Sequence, residues 1–238
     1  MSDIVIQLLP HILAALIYGA LGLHFWNTRW REQEGQCVAC PMQPWERAAI
    51  AGGLLVHAYG LYTALFTEAG MRFSFSFALS LMMWLAVLIY WIESFMARME
   101  GMQPLVLPLA AACTILPVIF PQVHLVAHAG ATGFKLHFLA AMLAYSLLTL
   151  SALHAIFMGF TENALHKRLM KRSLASLPPL LTMESLLFRM LLLGFVLLTL
   201  TVGSGVFFSE EIFGKPLSLD HKTLFAFASW GIFATLLV

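Results

Sequence analysis

Charged residues are scarce in this sequence. Lys, Arg, Asp and Glu make up 11% of its 238 residues, whereas they make up about 25% of a typical soluble domain. Apolar residues account for 61%, and the mean hydropathy is +0.86. The formal net charge is only +1, and the basic residues lie in short loops without forming a stripe. The charge pattern therefore does not indicate nucleic-acid binding, and we expect no nucleic-acid partner. A chain of this composition is expected in a lipid bilayer.

Cysteine and the common catalytic motifs are also sparse. Of three cysteines, two form a single C-x-x-C motif, Cys37-Val-Ala-Cys40, which is followed by Pro41. A structural zinc site needs a second pair, and covalent haem attachment needs a histidine directly after the motif. Three interpretations of the Cys37-Val-Ala-Cys40 motif remain open: a transient thiol pair, a metal contact or an ordinary loop. The sequence shows no Ser-His-Asp arrangement, Gly-x-Ser-x-Gly turn, Walker loop or His-Glu-x-x-His motif, so hydrolase and nucleotide-driven functions lack support.

Seven apolar segments separate along the chain, and most reach the roughly 20 residues that a helix needs to cross a bilayer. None alternates with a period of two, as the strands of a membrane barrel do. We therefore predict an all-α fold, a single integral-membrane domain over residues 1–238 built as a polytopic bundle of about seven spanning helices. The predicted segments are Ile4–Trp26, Ala48–Phe66, Phe73–Phe95, Leu105–Phe120, Phe134–Phe157, Leu186–Phe208 and Thr223–Val238.

Two of these segments are unusual. The fourth is interrupted by Pro108 and Pro117, so we expect it to be kinked or only partly inserted. The seventh is barely long enough to span and ends without a basic anchor. This ending predicts either a poorly anchored last helix or a truncated chain, with an eighth helix beyond Val238.

The loop charges predict an orientation for the bundle. With the amino terminus outside, the inner loops collect most of the basic residues, including the cluster at 167–172. Such an excess of Lys and Arg marks the cytoplasmic side. The outer loops then hold only four basic residues, which are Arg72, Lys135, Lys215 and Lys222.

The fifth segment organises the functional prediction, because it carries His137 near one end and His154 near the other. On a helical wheel, small residues share the face of His137; they are Ala141, Ala144, Ser151 and Ala155. Small residues let another helix, or a flat cofactor, approach the backbone closely. His154 lies about 25 Å further along the axis, so the two histidines cannot share one iron.

Other histidines leave alternatives open. His57 lies near the middle of the second segment, where a neutral imidazole either ligates a haem iron together with a histidine of another helix or hydrogen-bonds to a neighbouring helix. His124 and His128 are four residues apart and suit a metal if that stretch is helical; otherwise they are solvated loop histidines. The remaining ones are expected near the membrane interfaces, namely His11, His24 and His154.

Three parts of the chain resemble the integral-membrane cytochrome c assembly family: Phe75–Glu93, the fifth segment and Leu217–Trp230. This family includes the CcmC-like and CcsA-like haem-handling proteins, and the similarity is closest to its HemX-like or YpjD-like branch. The order and spacing of the helices carry the resemblance over nearly the whole chain. It implies a multi-pass protein of the bacterial inner (cytoplasmic) membrane that acts in cytochrome c biogenesis.

The resemblance also implies roles for individual residues. In the haem-handling members, an outward histidine begins the helix that His137 begins here, which implies an axial iron ligand at the outer face. His57 resembles the intramembrane histidine with which some members hold haem inside the bilayer. Lys135 and Lys222 lie near the outer edge, where cations pair with haem propionates.

One loop departs from the family pattern. The haem-handling members carry a tryptophan-rich signature that ends in Trp-Asp-Pro-Lys-Glu-Thr-Trp, and the matching place here is Leu219-Asp-His-Lys-Thr-Leu-Phe225. The Asp, Lys and Thr match, but the tryptophans are absent. The second outward histidine of those members would fall beyond Val238, so His221 is the candidate substitute.

We therefore expect a protein that binds or moves haem through His57, His137 and His221. Because such a protein handles a ligand without making covalent bonds, we do not expect it to be an enzyme. Its expected partners are the lipid bilayer and other cytochrome c assembly proteins or an apocytochrome. The missing tryptophans favour an alternative: a cofactor-free accessory membrane subunit that stabilises or regulates a partner assembly. A small-molecule transporter is less well supported, since no inverted repeat is evident.

Overall fold

The computed structural model describes residues 2–30, 41–67, 70–96, 101–126, 129–166, 180–207, 209 and 221–237. Within these ranges the chain folds into seven α-helices, which confirms the predicted helical bundle. The helices are α1 Ser2–Phe25, α2 Pro44–Leu65, α3 Phe75–Glu93, α4 Gln103–Ile119, α5 Thr132–His166, α6 Leu180–Phe207 and α7 His221–Leu236. A π-helical turn, Trp26–Trp30, continues α1.

Five of the helices are long and apolar enough to cross a membrane: α1 with its π-helical turn, α2, α3, α5 and α6. The other two, α4 and α7, are apolar but shorter. It stays a prediction that α4 and α7 also span the membrane, and that the amino terminus lies outside. α4 continues as one helix through Pro108 and Pro117.

A small antiparallel sheet, which the sequence did not predict, joins the ends of four helices. Its strands are β1 Phe66–Thr67, β2 Gly70–Phe73 and β3 His124–Leu125, in the order β1-β2-β3. Gly70, the first residue of β2, has a φ of +116°, a conformation that glycine adopts without steric cost. The strands link α2 to α3 and α4 to α5, so they mark one end of the bundle. We call it the sheet end.

The helices form two groups. α1 to α4 pack against one another around the main core, whose largest fully buried side chains include Tyr18, Phe25, Met83 and Tyr90. α5 packs against α3 and most extensively against α6, and α7 packs on α6. Close approach depends on glycine: a Cβ on Gly22 of α1 would lie 2.8 Å from Cγ of Pro108 on α4, a distance that requires the helices to separate.

Opposite the sheet end, a buried carboxylate ties α1 to α2. Oε2 of Glu46 accepts a hydrogen bond from Arg29 at 3.2 Å and another from the backbone N–H of Gln43 at 2.7 Å. Its other oxygen, Oε1, lies 3.0 Å from Nε2 of His24. The side chains of Arg29 and Glu46 are each 5% exposed, so each charge depends on the other for compensation.

Candidate functional site

His137 lies in the second turn of α5, at the sheet end, where it faces α6. Its Nδ1 is 2.9 Å from the Ser204 hydroxyl, and that hydroxyl donates to the carbonyl of Thr201 at 3.1 Å. A hydroxyl has one proton, so both contacts are hydrogen bonds only when the His137 Nδ1–H is the donor in the first one. The network thus assigns the tautomer whose Nε2 carries the lone pair, the usual arrangement for a metal-ligating histidine held by its other nitrogen.

Two small residues of α6, Ser204 and Gly205, lie beside this imidazole. A Cβ built on Gly205 would lie 3.4 Å from Cε1 of His137. Deeper along α5, Ala144 is fully buried in a cluster with Leu148 of the same helix and Leu198 of α6. The small-residue face of α5 is therefore used for helix packing in the interior, and His137 lies where this face reaches the sheet end, half-buried.

The other residues proposed to accompany His137 lie at the same end of the bundle. Lys135 is exposed in the first turn of α5. His221 and Lys222 begin α7, but their side chains lie outside the described residues. Their roles as an iron ligand and a propionate partner stay predictions.

His57 is hydrogen-bonded to neighbouring helices, which was one of the two alternatives that the sequence left open for it. Its Nε2 is 2.9 Å from the Ser80 hydroxyl of α3, and its Nδ1 is 3.4 Å from the Thr114 hydroxyl of α4. The side chain is 0% exposed, and the ring of Tyr18 packs edge-on against it at 5.8 Å between centroids. Iron can reach His57 only if these contacts break, so the residues around it do not fit a haem in this conformation.

His11 lies beside His57 inside the bundle, and its predicted position near a membrane interface stays a prediction. Its side chain is 0% exposed, and the two imidazole centroids are 6.0 Å apart. A signal was present in the sequence: a stripe of residues three and four apart, the pattern of a buried helix face. The residues of this stripe are all buried, and they are His11, Ala14, Tyr18, Leu21 and Phe25.

The remaining candidates lie apart from these histidines. His154 is 1% exposed and lies 3.0 Å from both the Met183 carbonyl and the Met102 sulfur. Its predicted position near a membrane interface stays a prediction. His124 is exposed in β3, where it pairs with Phe73. His128 and the Cys37/Cys40 motif lie outside the described residues. Among the residues that the structure describes, no group of three or more His, Cys, Asp or Glu side chains is arranged to hold a metal ion.

Comparison with known proteins assigns the family. A family model described as Cytochrome C assembly protein matches residues 46–238. The chain belongs to the cytochrome c assembly family. The matched region begins in α2 and contains His57, His137 and His221. Helix α1, which carries His11, lies before the matched region.

The curated relatives of this family member are bacterial membrane proteins. It is similar to the inner membrane protein YpjD of Escherichia coli strain K12, with 25% identity over 134 residues. The YpjD proteins of Escherichia coli O6:H1 and O157:H7 match to the same extent. The match covers 56% of this chain and 50% of each relative, so the chain spans about half the length of the curated relatives it matches. No solved structure matches the chain.

Proposed function

We propose that this protein binds haem at the sheet end of its bundle and handles it during cytochrome c biogenesis. The observation that carries the proposal is the orientation of His137. Its Nδ1–H is held by Ser204 at 2.9 Å, which fixes the ring and leaves the lone pair on Nε2. Membership of the cytochrome c assembly family supports the same function.

In this proposal each residue contributes a different interaction. His137 offers Nε2 to the iron, and a bound haem supplies the redox-active metal. Gly205 of α6 has no side chain beside the imidazole, which allows a flat group to approach the helix backbone. Lys135, whose side chain is exposed, and Lys222 are the proposed cations that pair with the propionate carboxylates.

The second iron ligand is proposed to be His221, since it begins α7 at the sheet end next to Lys222. His57 is the less favourable choice, because Ser80 and Thr114 already contact both of its ring nitrogens. The role of the protein is to hold and present a ligand, so we expect no enzymatic bond-making.

The proposed location is the bacterial inner membrane, with the amino terminus and the sheet end outside. The name of the relatives, inner membrane protein YpjD, supports the membrane, and the basic residues of the opposite loops support the orientation. Other cytochrome c assembly proteins or an apocytochrome are the proposed partners.

A cofactor-free accessory subunit is the second candidate function, and one observation favours it. The buried histidine His57 is engaged by two hydroxyls in a closed core, as expected for a histidine that stabilises a helix bundle. In this alternative the protein stabilises or regulates a partner assembly through its exposed apolar helix faces.

Visible absorption spectra of the purified protein test the proposal. Oxidised and reduced protein is measured after haem titration, with His137→Ala as the test variant and His124→Ala as the matched control, since His124 is an exposed histidine of the same end. We expect a saturable Soret band in the wild type and the control, and a loss of most of it in His137→Ala. Equal spectra for both variants would exclude His137 as the ligand. No Soret band in any sample would favour the accessory subunit.

A further inference from the structure

One histidine and three methionines are buried at the end of the bundle opposite the sheet. Met42 lies two residues before α2, Met102 is the N-cap of α4, and Met183 lies in the first turn of α6. These methionines are 6%, 0% and 3% exposed and belong to the same main core. His154 of α5, which is 1% exposed, contacts two of them. We call these four residues the thioether cluster.

The imidazole of His154 lies between two acceptors that a single proton cannot serve. Its Nε2 is 3.0 Å from the Met183 carbonyl oxygen, and its Nδ1 is 3.0 Å from the Met102 sulfur. A neutral imidazole has one N–H, and a carbonyl oxygen is a much stronger acceptor than a thioether. The proton therefore belongs on Nε2, so the lone pair of Nδ1 faces the sulfur with no hydrogen atom between them.

This arrangement is the one in which proteins hold metal-ligating histidines. Such a histidine usually donates its second ring N–H to a backbone carbonyl or a carboxylate, which fixes the ring and its tautomer. The Met183 carbonyl makes this contact, and Met102 places a second metal donor beside Nδ1. Metal bonds of about 2.0 Å to nitrogen and about 2.3 Å to sulfur, the lengths found for zinc, can reach two atoms that are 3.0 Å apart.

We propose that the thioether cluster binds a Cu(I) ion. Thioethers are soft donors that select Cu(I), whereas carboxylate, carbonyl and water oxygens suit Mg²⁺, Ca²⁺ and Mn²⁺. Nδ1 of His154 and the sulfur of Met102 are the first two ligands, and the sulfur atoms of Met183 and Met42 are the candidates for further ones. All four donors are neutral, and an apolar core disfavours a divalent charge more than a monovalent one. The cluster lies at the opposite end of the bundle from His137, so the proposal is independent of haem binding.

Titration of the haem-free full chain with Cu(I) in detergent tests this proposal. The ion is supplied without oxygen, together with a reductant and a coloured Cu(I) chelator whose loss of colour reports transfer to the protein. All samples carry Cys37→Ser, Cys40→Ser and Cys113→Ala, because thiolates also select Cu(I); these are the three cysteines of the chain. We expect one ion per chain to be retained against the chelator. X-ray absorption should show nitrogen and sulfur ligands, and in this background the sulfur comes from methionine.

Substitutions decide whether the ion binds at the thioether cluster. Met102→Leu removes a sulfur ligand but nearly conserves the side-chain volume, and it should weaken the Cu(I) affinity about tenfold or more. Met83→Leu is the matched control: Met83 is also 0% exposed in the same core, but it lies near the middle of α3. This control should bind Cu(I) like its parent. His154→Phe should remove the nitrogen ligand and weaken the affinity at least as much as Met102→Leu.

Three results would overturn the proposal. One is that the protein retains no Cu(I) against the chelator, which would make the contact of His154 with Met102 a packing contact only. Another is a bound ion whose ligands are all nitrogen or oxygen, which would place it at other histidines. The last is an equal Cu(I) affinity in Met102→Leu and Met83→Leu. If His154→Phe does not fold, the comparison of these two leucine variants still gives a decision.

Discussion

Nδ1 of His137 on α5 is hydrogen-bonded to the hydroxyl of Ser204 on α6 at 2.9 Å, although the two residues are 67 positions apart in the chain. The bond lies where the most extensive helix pair of the bundle reaches the sheet end. It orients the imidazole that we propose as the haem ligand, so the α5–α6 contact links the fold to the function.

Ser204→Ala should weaken haem binding without removing the ligand. The substitution leaves His137 in place but deletes the acceptor of its Nδ1–H, and the loss of such an outer partner typically costs about 10- to 100-fold in metal affinity. Haem titration followed at the Soret band gives the affinity. Thr201→Val serves as the control, because the Thr201 hydroxyl donates to the carbonyl of Leu197 within its own helix. Equal affinities for the two variants would contradict the orienting role of Ser204.

Ser80→Ala and Thr114→Val should each lower the stability of the haem-free protein. Either substitution removes a hydroxyl that contacts His57, and hydrogen bonds between membrane helices contribute on average about 0.6 kcal/mol. Unfolding in a detergent mixture measures the change. If His57 has the purely structural role described here, the Soret band of haem-loaded protein should remain; its loss in both variants would instead indicate that His57 is an iron ligand.

Glu46→Ala should be among the most destabilising single substitutions at the end opposite the sheet. It leaves the buried guanidinium of Arg29 without the carboxylate that lies 3.2 Å away, and breaking a buried pair in this way costs about 3–5 kcal/mol. The double variant Arg29→Met/Glu46→Met should recover much of this loss, because no buried charge remains. A double variant that is less stable than Glu46→Ala would show that the pair itself, and not the leftover charge, dominates.

Two glycines of adjacent helices should respond in opposite directions to alanine. Gly22→Ala places a Cβ 2.8 Å from Pro108, and such overpacking typically costs about 1–3 kcal/mol. Gly52→Ala meets no atom within 4 Å and should leave stability unchanged or raise it by up to about 1 kcal/mol, because alanine favours the helix. Thermal unfolding of both variants measures the difference. A loss of stability in Gly52→Ala equal to that in Gly22→Ala would contradict the close contact between α1 and α4.

The helices were predictable because a long apolar run is a local property. Each of the seven predicted segments lies on an observed helix, but the ends differ: Phe134–Phe157 was predicted where α5 covers Thr132–His166, since a helix does not stop where its apolar run ends. The strands are two to four residues long, too short to show a period.

The surroundings of the histidines were less predictable, because long-range packing decides them. The spacing of His11, Ala14 and Tyr18 marks a buried face, but the sequence does not show that His57 of α2 lies opposite it. The pairing of His137 with Ser204 likewise depends on how α5 and α6 are aligned. The sequence identified His137 as a residue of interest, and the structure supplied the hydrogen bond that orients it.

Chemical rescue of a His137→Gly variant tests the central claim most directly. The variant is purified, supplied with haem and titrated with free imidazole, while the reduced spectrum is recorded. If His137 is the iron ligand, the variant should lack the sharp low-spin bands of the wild type, and imidazole entering the vacated space should restore them. A variant that shows the wild-type spectrum before imidazole is added would contradict the account.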